Sequence, residues 1–285
     1  MTSMFLSLLL FFIPPQEQTT DDLSLTYEGE TIATVSKTDF TIPLLDETFV
    51  DQHRLKAFMD ELNHKLAQPP VNATINKDGN IVQGKPGFKV DQAQLSETFY
   101  NYFYGHRSVK TTVPTRPVYP KVDAELLADI RTKQIGDYQT YFKKSKRART
   151  NNISLATEAI NNHVVFPQET FSFNQVVGKR SKEKGYMRAP VIVKGELSED
   201  IGGGICQVSS TLYNAVDDAG LQIVERYSHS REVPYVPEGR DATVSWYGPD
   251  FTFKNKYNQP ILIRAKSVNG KMIVQLYSSD RLRRS

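Results

Sequence analysis

Three residue types that together can perform nucleophilic acyl chemistry follow one another in the second half of the chain: Cys206, His229 and Asp241. Cys206 is the sole cysteine, within Gly202-Gly203-Gly204-Ile205-Cys206-Gln207-Val208-Ser209-Ser210. A thiol must ionise to attack, so its location decides its use. Val208, Leu212, Val216 and Ala219 recur at helical spacing, and Gly220 offers a stop. The spacing therefore predicts a helix entered through glycines. Cys206 then occupies the first turn, where free N–H groups and the helix dipole favour a negative charge. His229 is the candidate base, and Asp241 the acid that orients its ring. Backbone N–H groups around Gly203 and Gly204 are the candidate oxyanion donors, with Gln207 as a further one. Ser210 and Tyr213 fall with Cys206 on the polar side of the predicted helix. They are candidate substrate contacts, as are Trp246 and Tyr247, whose rings could stack on a sugar. A second expectation stands beside the first. The cysteine is then a small core hydrophobe, and the glycine loop cradles a carboxylate or phosphate without chemistry.

Composition removes other classes. The five histidines are scattered and no Cys/His spacing suits zinc, so neither a metal nor a cofactor is expected. A net charge of +3 does not mark a nucleic-acid binder. One cysteine rules out an internal disulfide framework.

The elements that must position these residues predict an α+β chain of two domains. Residues 1–20 hold an apolar run, 4–13, that is shorter than the ~20 residues needed to cross a bilayer. It has the length of a signal-peptide core, without a preceding Lys or Arg and without a small-x-small cleavage site. An exported protein at the wall or membrane is expected, with peripheral membrane contact through this leader.

Residues 21–140 read as an α+β module. It has strands around Glu28-Gly29, a helix over 51–67, a hairpin around 72–82 and a helix capped by Asp91. A strand over 109–113 and a short helix capped by Asp123 complete it. Residues 141–150 form a basic linker, Lys143 to Arg149, with attraction for an anionic wall polymer as its functional use. In the second domain, 151–260, Asn151 and Asn152 are expected to cap a helix over 153–162. Strands are expected over 189–193, 221–226 and 239–244, the last carrying Asp241. Residues 261–285 form a hairpin turning at Asn269-Gly270, whose edge is expected to pair with the sheet carrying Asp241.

The second half resembles the VanW family, named from an accessory protein of glycopeptide-resistance clusters. The matching residues include Asn152-Ile153, Phe171-Ser172-Phe173-Asn174, Val177-Gly178, Gly185-Tyr186 and Gly202 to Tyr213. They continue with His229-Ser230, Tyr235-Val236-Pro237, Gly239-Arg240-Asp241-Ala242-Thr243-Val244 and Gly248-Pro249-Asp250. One departure is Pro167-Gln168-Glu169, where the family has Pro-Gly-Glu.

The segment 72–130 resembles the peptidoglycan-binding domain found beside L,D-transpeptidase and VanW domains. It does so through Asn72-Ala73-Thr74-Ile75, Lys85-Pro86-Gly87, Val90-Asp91 and Pro120 before Asp123-Ala124-Glu125-Leu126. That resemblance implies peptidoglycan as a partner. A cysteine on a helix packed on an antiparallel sheet, followed by His and Asp, is also the chain order of transglutaminase-like and NlpC/P60-like enzymes. Two functions are expected: acyl transfer or amide hydrolysis on stem peptides, or a non-catalytic wall-binding accessory role.

Overall fold

The computed structural model describes residues 21–42, 49–193 and 196–284. The apolar leader expected over 4–13 lies outside them. Among the described residues no helix is long and apolar enough to cross a membrane. The fold is mixed α+β with several small sheets, nearly all antiparallel. It divides into two compact units. One is the chain up to Pro70 with Pro86–Tyr119; the other is Val71–Lys85 with Pro120–Ser285.

In the first unit β1 (Asp22–Tyr27) and β2 (Glu30–Ser36) form a hairpin. Its turn, Glu28-Gly29, has positive φ at both residues. Helix α1 (Gln52–Leu66) starts where the Asp51 carboxylate accepts the His53 and Arg54 N–H groups. Strands β3 (Thr74–Ile75) and β4 (Ile81–Val82) belong to the second unit. Ala73 N–H donates to the Val122 carbonyl at 2.8 Å, and Ala73 and Ile75 share a core with Leu127, Ile130 and Leu262. The chain returns to the first unit through β5 (Gly87–Val90), α2 (Gln92–Phe103), β6 (Val109–Thr112) and β7 (Thr115–Val118). Asp91 caps α2 by accepting from Gln94 N–H. Strand β6 joins β1 in parallel, β5 pairs with β7, and Phe40, Phe99, Tyr102 and Phe103 fill the core.

The second unit continues with α3 (Ala124–Ile130), capped by Asp123, and β8 (Lys133–Tyr141), a strand the sequence did not announce. Helix α4 spans Arg147–Ile160 and begins earlier than expected, inside the basic run. Asn152 is thus not a cap. It is buried in the helix body, donating to the Met187 and Gly203 carbonyls and accepting from Met187 N–H.

After β9 (His163–Val165), β10 (Thr170–Ser172) and α5 (Phe173–Val177) come the paired strands β11 (Arg188–Val193) and β12 (Glu196–Ile201). Helix α6 (Ile205–Asp218) and strands β13 (Gln222–Glu225), β14 (Thr252–Lys254), β15 (Ile261–Val268) and β16 (Lys271–Ser278) finish the chain.

The main sheet runs β8-β16-β15-β9, with α6 packed on β8 and β16 and α4 packed on β15. Gly136 in β8 permits the close approach of α6. A Cβ there would lie 2.5 Å from the Ala215 carbonyl oxygen.

Two expectations are corrected. Residues 239–244 form no strand, because their backbone groups are held by side chains of α6 instead of a ladder. The C-terminal hairpin therefore does not join a sheet carrying Asp241; it pairs with β8 and β9.

Candidate functional site

The glycine entry to α6 is built by close packing. Gly202 and Gly204 take positive φ of 92° and 109°, conformations that suit glycine alone. Gly203 is pressed against β11, where a Cβ would meet the Ala189 carbonyl oxygen at 2.4 Å. The Ile205 and Gln207 N–H groups close turns onto the Gly202 and Gly204 carbonyls. Cys206 follows, half-buried in the first turn of α6.

Two extended segments come back over this helix. Ser209 donates to the Ala242 carbonyl at 2.6 Å, and Ser210 accepts the Ala242 N–H at 2.9 Å. Asn214 donates to the Arg240 carbonyl and accepts from the Arg240 side chain. Thr243 N–H donates to the Tyr227 carbonyl, which brings the segment carrying His229 alongside. The result places His229 between the other two residues. Its ring interacts with the Cys206 thiol, and its Nδ1 lies 2.5 Å from Asp241 Oδ2. The same carboxylate oxygen accepts the His229 backbone N–H at 2.6 Å. Both side chains are nearly enclosed, at 6 % exposure for His229 and 9 % for Asp241.

The electrostatics follow. Burial pushes the Cys206 thiol up, but the hydrogen bond and positive charge of His229 outweigh it and hold the thiol below its ordinary value. Burial pushes the imidazole down, and its contacts with Cys206 and Asp241 reverse that and raise it. Asp241 is likewise opposed by burial, yet its two bonds to His229 lower its carboxyl. These directions agree in favouring a thiolate and imidazolium held over a carboxylate.

The family model described as VanW like protein matches residues 148–277, a span containing Cys206, His229 and Asp241. An uncharacterised protein, YoaR of Bacillus subtilis, is 59 % identical over 271 residues, covering 95 % of this chain and 89 % of its own. The chain belongs to the VanW family. The vancomycin B-type resistance protein VanW of Enterococcus faecalis is 30 % identical over 134 residues, or 45 % of this chain and 48 % of its own. No solved structure matches.

The VanW segment places the other expected residues differently. Gln207 is buried, donating to Thr140 and to the Tyr141 carbonyl and accepting from Arg149 at 2.7 Å. Its amide is fully occupied, so it is not free to serve an oxyanion. Gly203 is a packing position whose carbonyl accepts from Asn152. Ser210 is fully buried and fastens the 242 segment, so it does not face a substrate. Tyr213 packs edge-on against Phe251, with Arg226 and Arg240 over its ring. Trp246 and Tyr247 are exposed, at 41 % and 86 %. Arg240 pairs with Asp217, which leaves Asp241 to His229. Among the described residues no group of three His, Cys, Asp or Glu could hold a metal ion.

Residues outside the expected site stand near the thiol. Arg149, in the first turn of α4, lies over the Tyr235 ring at 5.9 Å. Burial lowers its pKa, opposed by the charges of Tyr235 and Cys206. Tyr235 is pushed strongly up by burial, a shift that Ser210 partly offsets. Thr243 brings its hydroxyl to 3.8 Å from the sulfur, and the Val244 carbonyl accepts from the thiol at 3.5 Å. Arg180 covers the Phe173 ring at 5.7 Å and feels the charge of Cys206. Arg149 belongs to the basic run and Tyr235 and Thr243 to family-matching segments, but their spacing from Cys206 does not mark them as its neighbours, and Arg180 belongs to no motif.

Proposed function

We propose that this protein is a thiol-dependent acyltransferase or amidase acting on peptide or amide bonds of peptidoglycan stem peptides. The single observation that supports it most is the His229 ring, held by Asp241 at 2.5 Å and in electrostatic contact with Cys206. Cys206 Sγ attacks the carbonyl carbon, and the developing oxyanion is met by the Cys206 N–H, which neither entry turn uses. The C–N bond breaks, and the imidazolium proton passes to the leaving nitrogen. Water or a second amine, deprotonated by His229, then attacks the thioester carbonyl. The C–S bond breaks and the thiolate returns. Asp241 holds the tautomer and bears no proton in the cycle.

The chain order matches that of transglutaminase-like and NlpC/P60-like enzymes, and we carry that architecture as part of the proposal. A wall substrate is supported by the relative named for vancomycin resistance and by the apolar leader, which suits an exported protein. Residues 21–140, which carry the resemblance over 72–130, are proposed to hold the protein on peptidoglycan, outside the cytoplasm, with no metal, cofactor or nucleic acid.

Incubation of the whole protein with defined stem-peptide fragments, followed by mass spectrometry, tests this. Cleaved or exchanged amide bonds are expected, and Cys206→Ala should abolish them. Products that persist unchanged in Cys206→Ala would overturn the thiol as nucleophile, and no product with any fragment that the protein binds would leave a non-catalytic wall-binding accessory protein.

A further inference from the structure

Arg180 is the unexplained cation of this site. Its stem lies against the glycine entry: a Cβ on Gly202 would sit 3.3 Å from Arg180 Cβ and Cγ. Its guanidinium covers the face of Phe173 at 5.7 Å. Both terminal nitrogens, Nη1 and Nη2, are buried and have no hydrogen-bond partner among the described residues. Arginine cannot shed its proton to escape this, so a buried guanidinium calls for acceptors. The nearby anions do not provide them. Asp250, whose charge Arg180 feels, is committed to the Ser172 hydroxyl and to the Asn174 and Phe251 N–H groups. Cys206 is engaged by the Thr243 hydroxyl, the Val244 carbonyl and the charge of His229.

Arg149, the other guanidinium near the sulfur, differs in being tied to Gln207. Among the described residues, Asn174 Oδ1 is the remaining buried side-chain polar atom without a hydrogen-bond partner, next in sequence to the Phe173 that Arg180 covers. Two parallel N–H donors on one planar group are the geometry that takes a carboxylate in a bidentate pair.

We infer that Arg180 is a specificity-determining residue that binds a carboxylate of the ligand beside Cys206, so that the preferred substrate carries a free carboxylate near the bond attacked. The inference deepens the acyl-transfer proposal by naming the substrate class, and its test needs no turnover. The full protein is alkylated at Cys206 with iodoacetate, which carries a carboxylate, and with iodoacetamide, which does not. Each rate constant is taken on the plateau of its pH profile, which removes the effect of Arg180 on thiol ionisation.

The ratio of iodoacetate to iodoacetamide rates is expected to fall about tenfold in Arg180→Met, the size of one charge-assisted pair. Arg180→Lys should give an intermediate ratio, since it keeps the charge and loses the fork. In the wild-type protein, acetate should protect Cys206 from iodoacetamide in a saturable way, and acetamide should not. That measurement stands even if Arg180→Met does not fold. An unchanged ratio in Arg180→Met overturns the inference, as does equal protection by acetate and acetamide. Absence of protection overturns it too, because the guanidinium would then be satisfied within the protein, for example by Asn174 Oδ1. Protection by acetate in a protein that processes no stem peptide would sink the catalytic proposal and leave this binding site intact.

Discussion

The two units bury different chemistry. Among the described residues, Thr26 is the one buried polar side chain of the first unit. The second unit buries Asn152, Asn174, Gln207, Ser209, Ser210, Thr211, Asn214, Asp241 and others. The first unit is held by aromatic packing: Phe99 contacts Phe40 at 4.8 Å, Phe103 at 5.8 Å and Tyr102 at 6.1 Å. Its polar groups cap helices at the surface. In the second unit, α6 spends its buried side chains on the backbone of residues 240–242, which have no ladder of their own. An apolar core is tolerant of detail, whereas a polar network fixes atoms in place. The contrast teaches where this protein needs exact atomic positions, namely around the sulfur.

The largest expected effect is in the aromatic core. Phe99→Ala should lose about 4 kcal/mol in urea denaturation, by cavity formation, and should leave the pH profile of Cys206 alkylation in place. A moved profile would break the distinction between the units. Next, Asp241→Ala should cost about 3 kcal/mol, because it strands the His229 N–H and ring, and it should slow alkylation near neutral pH. If alkylation is unaffected, the acid does not support the base. Gly203→Ala should cost about 2 kcal/mol through its clash with β11. Ser209→Ala, which leaves the Ala242 carbonyl only the long 3.5 Å bond from Ser210, should cost about 1 kcal/mol.

The pH dependence sharpens the same comparison. Because the folded Asp241 carboxyl is lowered, its stabilisation is complete above the ordinary carboxylate value and is lost as pH falls through the folded value. Wild-type protein should therefore lose stability on acidification that Asp241→Asn does not lose, as followed by denaturation at a series of pH values. Cys206 alkylation should rise with pH through a value below the ordinary thiol range, and His229→Ala should move that rise upward. Acyl transfer, which needs the imidazolium, should fall as pH passes the raised value of His229.

Much of the fold was legible. Asp51, Asp91 and Asp123 cap helices that their local patterns announce, and Asn269-Gly270 turns the last hairpin with φ of 52° and 78°. Strand β8 was not legible, because Lys133–Tyr141 mixes polar and apolar residues without strict alternation. Asn152 misled for a physical reason. Asparagine at a helix start favours a cap, but here buried backbone groups of Met187 and Gly203 compete for its amide more effectively than the helix end does. The strand expected over 239–244 failed similarly, since Ser209, Ser210 and Asn214 took the place of a neighbouring strand.

What the sequence determined by itself is local: a cysteine in the first turn of an amphipathic helix, glycines that admit close packing, and the caps and turns around them. These depend on neighbours within a few residues, which a linear pattern records. The meeting of His229 with Cys206, the capture of Asp241 by His229 when Arg240 was the nearer partner in sequence, and the burial of Arg180 beside Phe173 were decided by the tertiary structure alone. Each depends on loops that enclose charge away from water, where pairing is strong and an unpaired group is costly. No spacing of letters records which groups will share that enclosure.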